Sequence, residues 1–385
     1  GLAQMLPVFH LGPFNDWREE AMRQRALFPV AYPGPQTRQR VKEVLGFCCG
    51  PEPALDVRSE GTWEHDGVAG EAVSWSVGYG PRTQAWLLKP AGSRGKLPGV
   101  VALHDHGGFK FYGKEKIADG PEPTDPVVTA FRERAYGSRA YANELARRGF
   151  AVLVHDTFMW GSRRFPVESM PENIRRMAAH RDPAWQTTDG SAHAEAIADY
   201  NYAAWLFEFH VIEKYCALFG TTFAGMVSHE DRIAVNYLRS RPDVREGGVG
   251  CLGLSGGGNR AALLQATSDH VRAAVIVGLM STYAELLDKQ VTHTWMLFPH
   301  GWARHGDWPD LAACRAPSPL LVQYDLDDEL FTVAGMRAAH ERLSGLYAHV
   351  GQRNAYTGEF YPGPHKFDLE MQESAFAWLR RAMPA

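Results

Sequence analysis

From residue 97 onward, short apolar runs alternate with segments of helical periodicity. Five runs are almost continuously hydrophobic, as is typical of strands buried on both faces; they are LPGVVALHD, GFAVLVHD, EGGVGCLGL, VRAAVIVGL and SPLLVQYD. Amphipathic segments such as RAYANELARRGF and NRAALLQA separate them. Strands that alternate with helices form parallel βαβ units. The pattern therefore predicts an α/β fold with a doubly wound, mostly parallel sheet.

The chain before residue 97 follows a different pattern. NDWREEAMRQRAL and TRQRVKEVLGF have helical periodicity, and Asn15 or Asp16 is a suitable N-cap for the first of them. EAVSWSVGYGPRTQAWLLKP alternates apolar and polar residues on both sides of GYGPR, which indicates a β-hairpin. We therefore expect a helical N-terminal extension over residues 1–69 and one α/β domain over residues 70–385.

Residues 160–230 interrupt the alternation, because they are far longer than an ordinary connection between a strand and a helix. A polar stretch that contains proline is followed by a long aromatic helix. We expect a cap-like insertion over the carboxyl ends of the strands, where ligands bind in open α/β sheets. A helix packed on the sheet face, or a contact between two copies of the chain, is the alternative.

Composition and charge narrow the function classes. The net charge of −4 and the pI near 6.5 argue against a nucleic-acid partner. A membrane span is not expected either, since the most apolar helical run, YAAWLFEFHVIEKYCALF, contains four polar or charged residues: Glu208, His210, Glu213 and Lys214. Contact with other copies of the chain, as a homo-oligomer, stays open.

The five cysteines are few and scattered, which does not favour a disulfide framework. Cys48 and Cys49 are adjacent and have no CxxC partner, so a zinc knuckle is not expected. Reduced thiols favour a cytoplasmic location. The sequence begins with Gly1 rather than Met, and a processed leader therefore stays open.

One serine stands among glycines where a predicted strand meets a predicted helix. Gly253-Leu254-Ser255-Gly256-Gly257 has the form G-x-S-x-G. A sharp strand-to-helix turn forces its serine into a strained conformation and brings the flanking positions close together, which glycine tolerates. The amide of Gly256 would then face the space where an oxyanion forms. The pattern predicts that Ser255 is a nucleophile.

A serine nucleophile needs a base, and the base needs an acid that orients it. Asp325 is the last residue of the predicted strand SPLLVQYD, and two further acids, Asp327 and Asp328, lie in the turn that follows it. His365 lies further along the chain, in a Gly/Pro loop before the last helix. The order serine, acid, histidine is the one that accompanies this serine motif.

The segment LHDHGG supplies further polar groups at the end of the first buried strand. Backbone amides of His106 and Gly107 in this turn are candidates for a second oxyanion donor. Alternatively, His104-x-His106 at a strand end begins the metal site of a barrel metallohydrolase. That site needs further ligands after later strands, and those strands end in GLS, GLM and QYD.

These motifs resemble the α/β-hydrolase superfamily, and within it the dienelactone hydrolase and acetyl-xylan-esterase-like branch. The resemblance covers roughly residues 70–385. It implies Asp328 as the catalytic acid, His365 as the base and a structural role for Asp156 and Gly161. Dienelactone hydrolases have a cysteine nucleophile, whereas this chain has Ser255, which favours an esterase.

We therefore expect a serine esterase that forms an acyl-enzyme and needs no metal or organic cofactor. Its oxyanion would be held by the amides of Gly256 and of His106 or Gly107. Small-molecule or carbohydrate esters are the expected substrates, with Phe158 and Trp160 as candidate contacts. Amide, peptide or lactone hydrolysis uses the same machinery and stays open, as do the metallohydrolase and a catalytically silent binding protein.

Overall fold

A nine-stranded mixed β-sheet organises the chain in the computed structural model. The structure describes residues 11–47, 50–185, 187, 189–287 and 290–384. Within these residues the strands, in chain order, are β1 Leu55–His65, β2 Val68–Ser76, β3 Thr83–Pro90, β4 Gly99–Leu103, β5 Ala151–His155, β6 Val249–Leu254, β7 Val271–Val277, β8 Leu320–Asp325 and β9 Tyr356–Tyr361.

The strands are ordered β1-β2-β3-β5-β4-β6-β7-β8-β9 in the sheet. β1, β2, β3 and β5 pair antiparallel, and every pairing from β5 through β4 to β9 is parallel. The chain runs outward from β4 in one direction to β5 and in the other to β6. This reversal is a topological switch point, at whose carboxyl edge α/β proteins bind ligands.

Helices cover both faces of the sheet. In chain order they are α1 Asn15–Arg25, α2 Pro35–Leu45, α3 Pro126–Ala135, α4 Tyr141–Arg147, α5 Glu172–Ala178, α6 Ala192–Phe207, α7 Glu213–Leu218, α8 Phe223–Ser240, α9 Gly256–Thr267, α10 Trp308–Ala313, α11 Val333–His349 and α12 Leu369–Ala382. A π-helical turn, Glu208–Ile212, joins α6 to α7.

Two large apolar cores lie on opposite faces of the sheet. Side chains of α2, α8, α9, α10 and α11 pack in one of them, and those of α3, α4 and α12 pack in the other. The central strands β4, β5, β6 and β8 are buried at every residue. This explains why their sequences are apolar throughout rather than alternating. The predicted doubly wound α/β architecture is confirmed.

Two strands were missing from the sequence prediction. β1 lies within the region predicted as a helical extension, and most of its residues are exposed, so that it carries no apolar pattern. β9 is a half-buried edge strand that contains a glycine. The expected boundary at residue 69 is therefore wrong, since β1 and the start of β2 belong to the main sheet.

The inserted segment is shorter than expected. α8 begins at Phe223 and packs on α9 and β4, so it is the helix that connects β5 to β6. Residues 161–222 form the insertion, and α6 with its π-helical turn is the longest helical part of it. A third apolar cluster, rich in aromatic residues, joins this segment to the strand ends.

Cys216, Cys251 and Cys314 are buried and free. The expectation for Cys48 and Cys49 concerns residues outside the described part of the chain. Among the described helices, none combines the length and the apolar character that a bilayer span requires.

Candidate active site

Ser255 lies in the sharp turn between β6 and α9. Its backbone has φ 58° and ψ −117°, a conformation that non-glycine residues rarely adopt and that costs about 1–3 kcal/mol. Hydrogen bonds hold this turn: the Ser255 amide donates to the Val277 carbonyl at 2.8 Å, and the Gly258 amide donates to the Ser255 carbonyl at 2.7 Å. The side chain is left at the carboxyl edge of the sheet, with only 7% of the residue exposed.

The glycines of the motif allow close approaches of the backbone. A Cβ atom on Gly253 would lie 2.5 Å from the carbonyl carbon of Gly257, and one on Gly257 would lie 2.4 Å from the Leu103 oxygen. A Cβ atom on Gly256 would lie 2.6 Å from the His106 nitrogen. The N-terminus of α9 therefore packs directly against the turn that follows β4.

His365 lies in the loop between β9 and α12 and is joined to Asp328. Its Nδ1 donates to the Asp328 Oδ2 over 2.6 Å, and the other carboxylate oxygen of Asp328 accepts from the Leu330 amide at 2.8 Å. Burial by itself would lower the pKa of His365. The hydrogen bond and the charge of Asp328, with the charges of Asp325 and Asp105, outweigh burial and raise that pKa above its ordinary value.

Asp325, at the end of β8, has a different environment. Its Oδ2 accepts from the Lys366 amide at 2.9 Å, and its Oδ1 has no partner within the described residues. Burial raises the pKa of this carboxyl to about 7. Of the acids that the sequence left open, Asp328 is thus the one that is bonded to the imidazole, while Asp327 accepts from the Gly363 amide at 2.7 Å.

The turn after β4, residues 104–110, lies beside Ser255. Gly107 and Gly108 both have positive φ, 63° and 59°, and therefore contribute main-chain groups without side chains. The His106 amide donates to no acceptor within the described residues. The amide of Gly256 belongs to the first turn of α9, where no partner within the helix exists. Two donors suited to an oxyanion thus lie next to each other.

Buried polar groups hold this turn in place. Lys116 Nζ donates to the Asp105 carbonyl at 2.8 Å, to the Asp105 carboxylate at 3.0 Å and to the Phe109 carbonyl at 2.9 Å. Burial outweighs the attraction of Asp105 and lowers the pKa of Lys116 to about 8. The Tyr136 hydroxyl donates to the other Asp105 oxygen. The turn is therefore rigid although it contains two glycines.

A second buried network ties α9 to the end of β4. Arg260 makes two hydrogen bonds to Asp231, at 2.9 and 2.7 Å, and a third, at 2.9 Å, to the His104 carbonyl. His155 is 2.7 Å from the same carboxylate. The charge of Arg260 and these hydrogen bonds overcome burial and lower the pKa of Asp231 to about 2. The only sequence signal for this network was an arginine within the apolar helix α9.

The side chains of Ser255, Asp328 and His365 line one cavity of about 520 Å³, together with Asp105, His106 and Gly107. Aromatic rings contributed by α3 and by the inserted segment form much of its remaining wall: Phe131, Trp185, Trp205 and Phe209. His293 also lines the cavity, but burial lowers its pKa to about 3, so it stays neutral. The aromatic insertion therefore contacts the candidate site, whereas its motion as a lid stays a prediction.

Phe158 and Trp160 do not line this cavity. Both are buried, at 8% and 1% exposure, within the aromatic cluster beneath the inserted segment. The Trp160 indole N–H donates to the His106 carbonyl at 3.3 Å. The two residues predicted as substrate contacts are thus packed away from the cavity, whereas Trp185, Trp205 and Phe209 line it. Periodicity alone could not distinguish the two sets, because all five are aromatic residues that follow β5 or lie in the inserted segment.

The two histidines of the alternative metal site do not converge. The His104 ring is buried, and its Nε2 accepts from the Thr157 amide at 3.3 Å. Both ring nitrogens of His106 are engaged, with Gly108 and with Glu208. Within the described residues, the one group of three potential ligands is Asp325, Asp328 and His365. No metal-ligand cluster on His104 and His106, the alternative that the sequence left open, is found among the described residues.

Asp156 and Gly161 lie close together after β5. A Cβ atom on Gly161, where φ is 57°, would lie 2.6 Å from the Asp156 carboxylate. That carboxylate accepts from the amides of Lys114 and Ser162, at 2.8 and 2.9 Å. These contacts brace the loop after β4, in keeping with the structural role expected for both residues.

Comparisons with known proteins agree with this architecture. A family model described as "BAAT / Acyl-CoA thioester hydrolase C terminal" matches residues 232–296, a segment that contains Ser255. A protein of Bacillus subtilis (strain 168), "Putative hydrolase YtaP", is 24% identical over 277 residues, which are 71% of this chain and 75% of that protein.

Solved structures extend the likeness to nearly the whole chain. A glucuronoyl esterase from Solibacter usitatus superposes with a TM-score of 0.60 at 13% identity, over 91% of this chain and 92% of the other. A "putative acetyl xylan esterase" from Bacteroides fragilis NCTC 9343 has a TM-score of 0.60 at 14% identity, over 85% and 73% of the two chains. At such identities the likeness concerns the fold. Together with the serine turn at the switch point of the sheet, it identifies the chain as a protein of the α/β-hydrolase fold.

Proposed function

We propose that this protein is a serine hydrolase that cleaves carboxylic esters, with Ser255, His365 and Asp328 as its catalytic residues. The observation that carries the proposal is the 2.6 Å hydrogen bond between His365 and Asp328 at the wall of the cavity that Ser255 lines. A strained serine at a helix N-terminus, a histidine with a raised pKa and a buried acid that orients it are the parts that acyl transfer needs.

In this mechanism the Ser255 hydroxyl attacks the acyl carbon while His365 removes its proton. Asp328 stabilises the imidazolium that forms, which agrees with the direction of the pKa shift of His365. The amides of Gly256 and His106 donate to the oxyanion of the tetrahedral intermediate, and Gly107 is the alternative second donor. His365 then protonates the leaving alcohol, and water, activated by the same histidine, hydrolyses the acyl-enzyme.

Small-molecule or carbohydrate esters are the proposed substrates. The cavity has room for a group of moderate size, and its wall combines aromatic rings with the hydroxyl-bearing residues Thr292 and Thr294. The acetyl xylan and glucuronoyl esterase names of the structural neighbours support the same class.

Acyl-CoA thioesters are the second candidate substrate. The observation in their favour is the match of residues 232–296 to the acyl-CoA thioester hydrolase model. A thioester passes through the same tetrahedral oxyanion, so the same residues would act on it.

The test is hydrolysis of p-nitrophenyl acetate, p-nitrophenyl butyrate and butyryl-CoA by the wild type and by Ser255→Ala, with and without a chelator. We expect turnover that depends on Ser255 and is insensitive to the chelator. Circular dichroism and thermal unfolding of the variant control for folding. Turnover that survives Ser255→Ala would refute the proposal. If that surviving turnover is lost when the chelator is added, a metal site is indicated instead. A higher kcat/KM for butyryl-CoA than for either ester would favour the thioesterase.

A further inference from the structure

The inserted segment places one buried carboxylate against the turn after β4. Glu208, the first residue of the π-helical turn, has no exposed surface. Its Oε1 lies 2.7 Å from His106 Nε2 and 2.5 Å from Lys110 Nζ, and its Oε2 accepts from the Thr294 hydroxyl at 3.2 Å. Glu208 thus joins the insertion, the turn after β4 and the loop that carries Thr294.

The contacts of His106 determine which nitrogen carries its proton. The Gly108 amide donates to Nδ1 at 3.1 Å, so Nδ1 carries no proton and the neutral ring is protonated at Nε2. Burial and the charge of Lys110 lower the pKa of His106 and keep the ring neutral. The Nε2–H group therefore donates to Glu208, while Lys110, which lies 3.2 Å from Nε2, donates to the carboxylate instead.

The ring of His106 is coupled to the main chain that faces Ser255. Gly107 and Gly108, which follow it, have no side chains to anchor the turn. The His106 carbonyl is bonded to the Trp160 indole, whose ring packs edge-to-face on the imidazole at 5.1 Å between centroids. The His106 amide shares its peptide group with the Asp105 carbonyl, which Lys116 holds at 2.8 Å. The imidazole, fixed at both nitrogens, restrains the same residue through its side chain, and the two restraints together set the direction of the amide, which lies against Gly256.

A structural reason alone does not explain a buried ion pair at this place. Taking a carboxylate and an ammonium out of water costs several kcal/mol, and an apolar pair of similar volume is often as stable. The carboxylate also begins a π-helical turn, a rare element that occurs frequently at functional sites. Both facts point to a role for Glu208 in placing its neighbours.

We propose that Glu208 is a positioning residue of the oxyanion site: by accepting the Nε2–H of His106, it directs the His106 amide toward the acyl oxygen. This inference rests on the proposed ester hydrolysis. It makes the inserted segment a structural part of the catalytic machinery rather than only a wall of the cavity.

Two double variants isolate the contact. The first is Glu208→Gln/Lys110→Met and the second is Glu208→Leu/Lys110→Met. Each removes both charges of the ion pair at once, so that no unpaired charge stays buried. They differ in that glutamine still offers an oxygen to His106, whereas leucine does not. Glu213→Gln is the matched control, because Glu213 follows the same π-helical turn and its carboxylate accepts from the Phe223 amide at 2.9 Å instead.

We expect the glutamine variant and the control to keep kcat for p-nitrophenyl acetate within about threefold of wild type. The leucine variant should lose kcat by about tenfold or more with KM nearly unchanged, because an oxyanion contact acts only in the transition state. The inhibition constant of a trifluoromethyl ketone, whose serine adduct carries an oxyanion, should weaken by the same factor. Equal kcat in the two double variants, or a loss confined to KM, would overturn the inference.

His106→Leu tests the same contact if the leucine double variant does not fold. This change removes the ring but keeps the main-chain amide and the pair of Glu208 with Lys110. We expect a similar loss of kcat, and wild-type kcat would overturn the inference. Ser255→Ala, measured in parallel, separates the two proposals: turnover without Ser255 refutes ester hydrolysis by the proposed triad and this inference with it, whereas serine-dependent turnover with equal double variants refutes this inference alone.

Discussion

Asp328 and His365 are joined by a 2.6 Å hydrogen bond although they lie 37 positions apart in the chain. Asp325 lies only three positions before Asp328 in the chain. Its carboxylate accepts from the Lys366 amide and not from the imidazole. The two carboxylates therefore differ in what they do for the histidine.

Exchanging each acid for its amide separates these two positions. We expect Asp328→Asn to lower kcat/KM for p-nitrophenyl acetate by roughly 10²–10⁴-fold, because the amide no longer stabilises the imidazolium. Asp325→Asn should have a far smaller effect on kcat/KM. A larger loss in Asp325→Asn than in Asp328→Asn would show that Asp325 is the catalytic acid.

The pH dependence of kcat/KM should follow His365. A general base acts only when it is neutral, so activity falls as the pH drops through its pKa. Since the pKa of His365 lies above its ordinary value of 6.5, the acid limb is expected above pH 6.5. In Asp328→Asn the limb should move to lower pH, because the carboxylate that raises this pKa is gone. An unchanged limb in that variant would contradict the assignment of the limb to His365.

Gly278, which follows β7, lies against the loop that carries His365. A Cβ atom there would lie 3.3 Å from His365 Cε1 and 3.2 Å from Asp325 Oδ2, and φ is 61°. We expect Gly278→Ala to lower kcat and to cost about 1–2 kcal/mol of unfolding free energy. Gly345→Ala is the control: it lies on α11 with open space around it, and should stabilise the protein by up to about 1 kcal/mol. Wild-type kcat in Gly278→Ala would contradict the packing argument.

Two tryptophans should respond differently to truncation. Trp205 lines the cavity and is only partly buried, so Trp205→Ala should raise KM for p-nitrophenyl butyrate by roughly three- to tenfold without a large loss of stability. Trp160 is 1% exposed, and Trp160→Ala should cost about 3–5 kcal/mol of unfolding free energy. Chemical denaturation and steady-state kinetics check both. A raised KM in Trp160→Ala together with a loss of stability in Trp205→Ala would instead indicate that Trp160 contacts the substrate.

The elements with strong local signals were predictable. The buried parallel strands, the hairpin of β2 and β3, the closing helix α12 and the serine turn all follow from apolar runs, alternation or glycine chemistry within a few residues. β1 and β9 were not predicted, because edge strands that face solvent need no apolar pattern. The extent of the insertion was overestimated, since the first turns of α8 have the same apolar character as the helices before it.

The features of the candidate site likewise fall into those that the sequence predicts and those that it does not. The sequence by itself determined that a serine stands at a strand-to-helix turn, with acids and a histidine in later loops, because turn chemistry and chain order are local properties. Only the tertiary structure decided which carboxylate meets His365, which aromatic rings line the cavity and that Glu208 contacts His106. Those contacts join residues that are distant in the chain, and they depend on how the sheet twists and where the loops end, which no short stretch of sequence specifies.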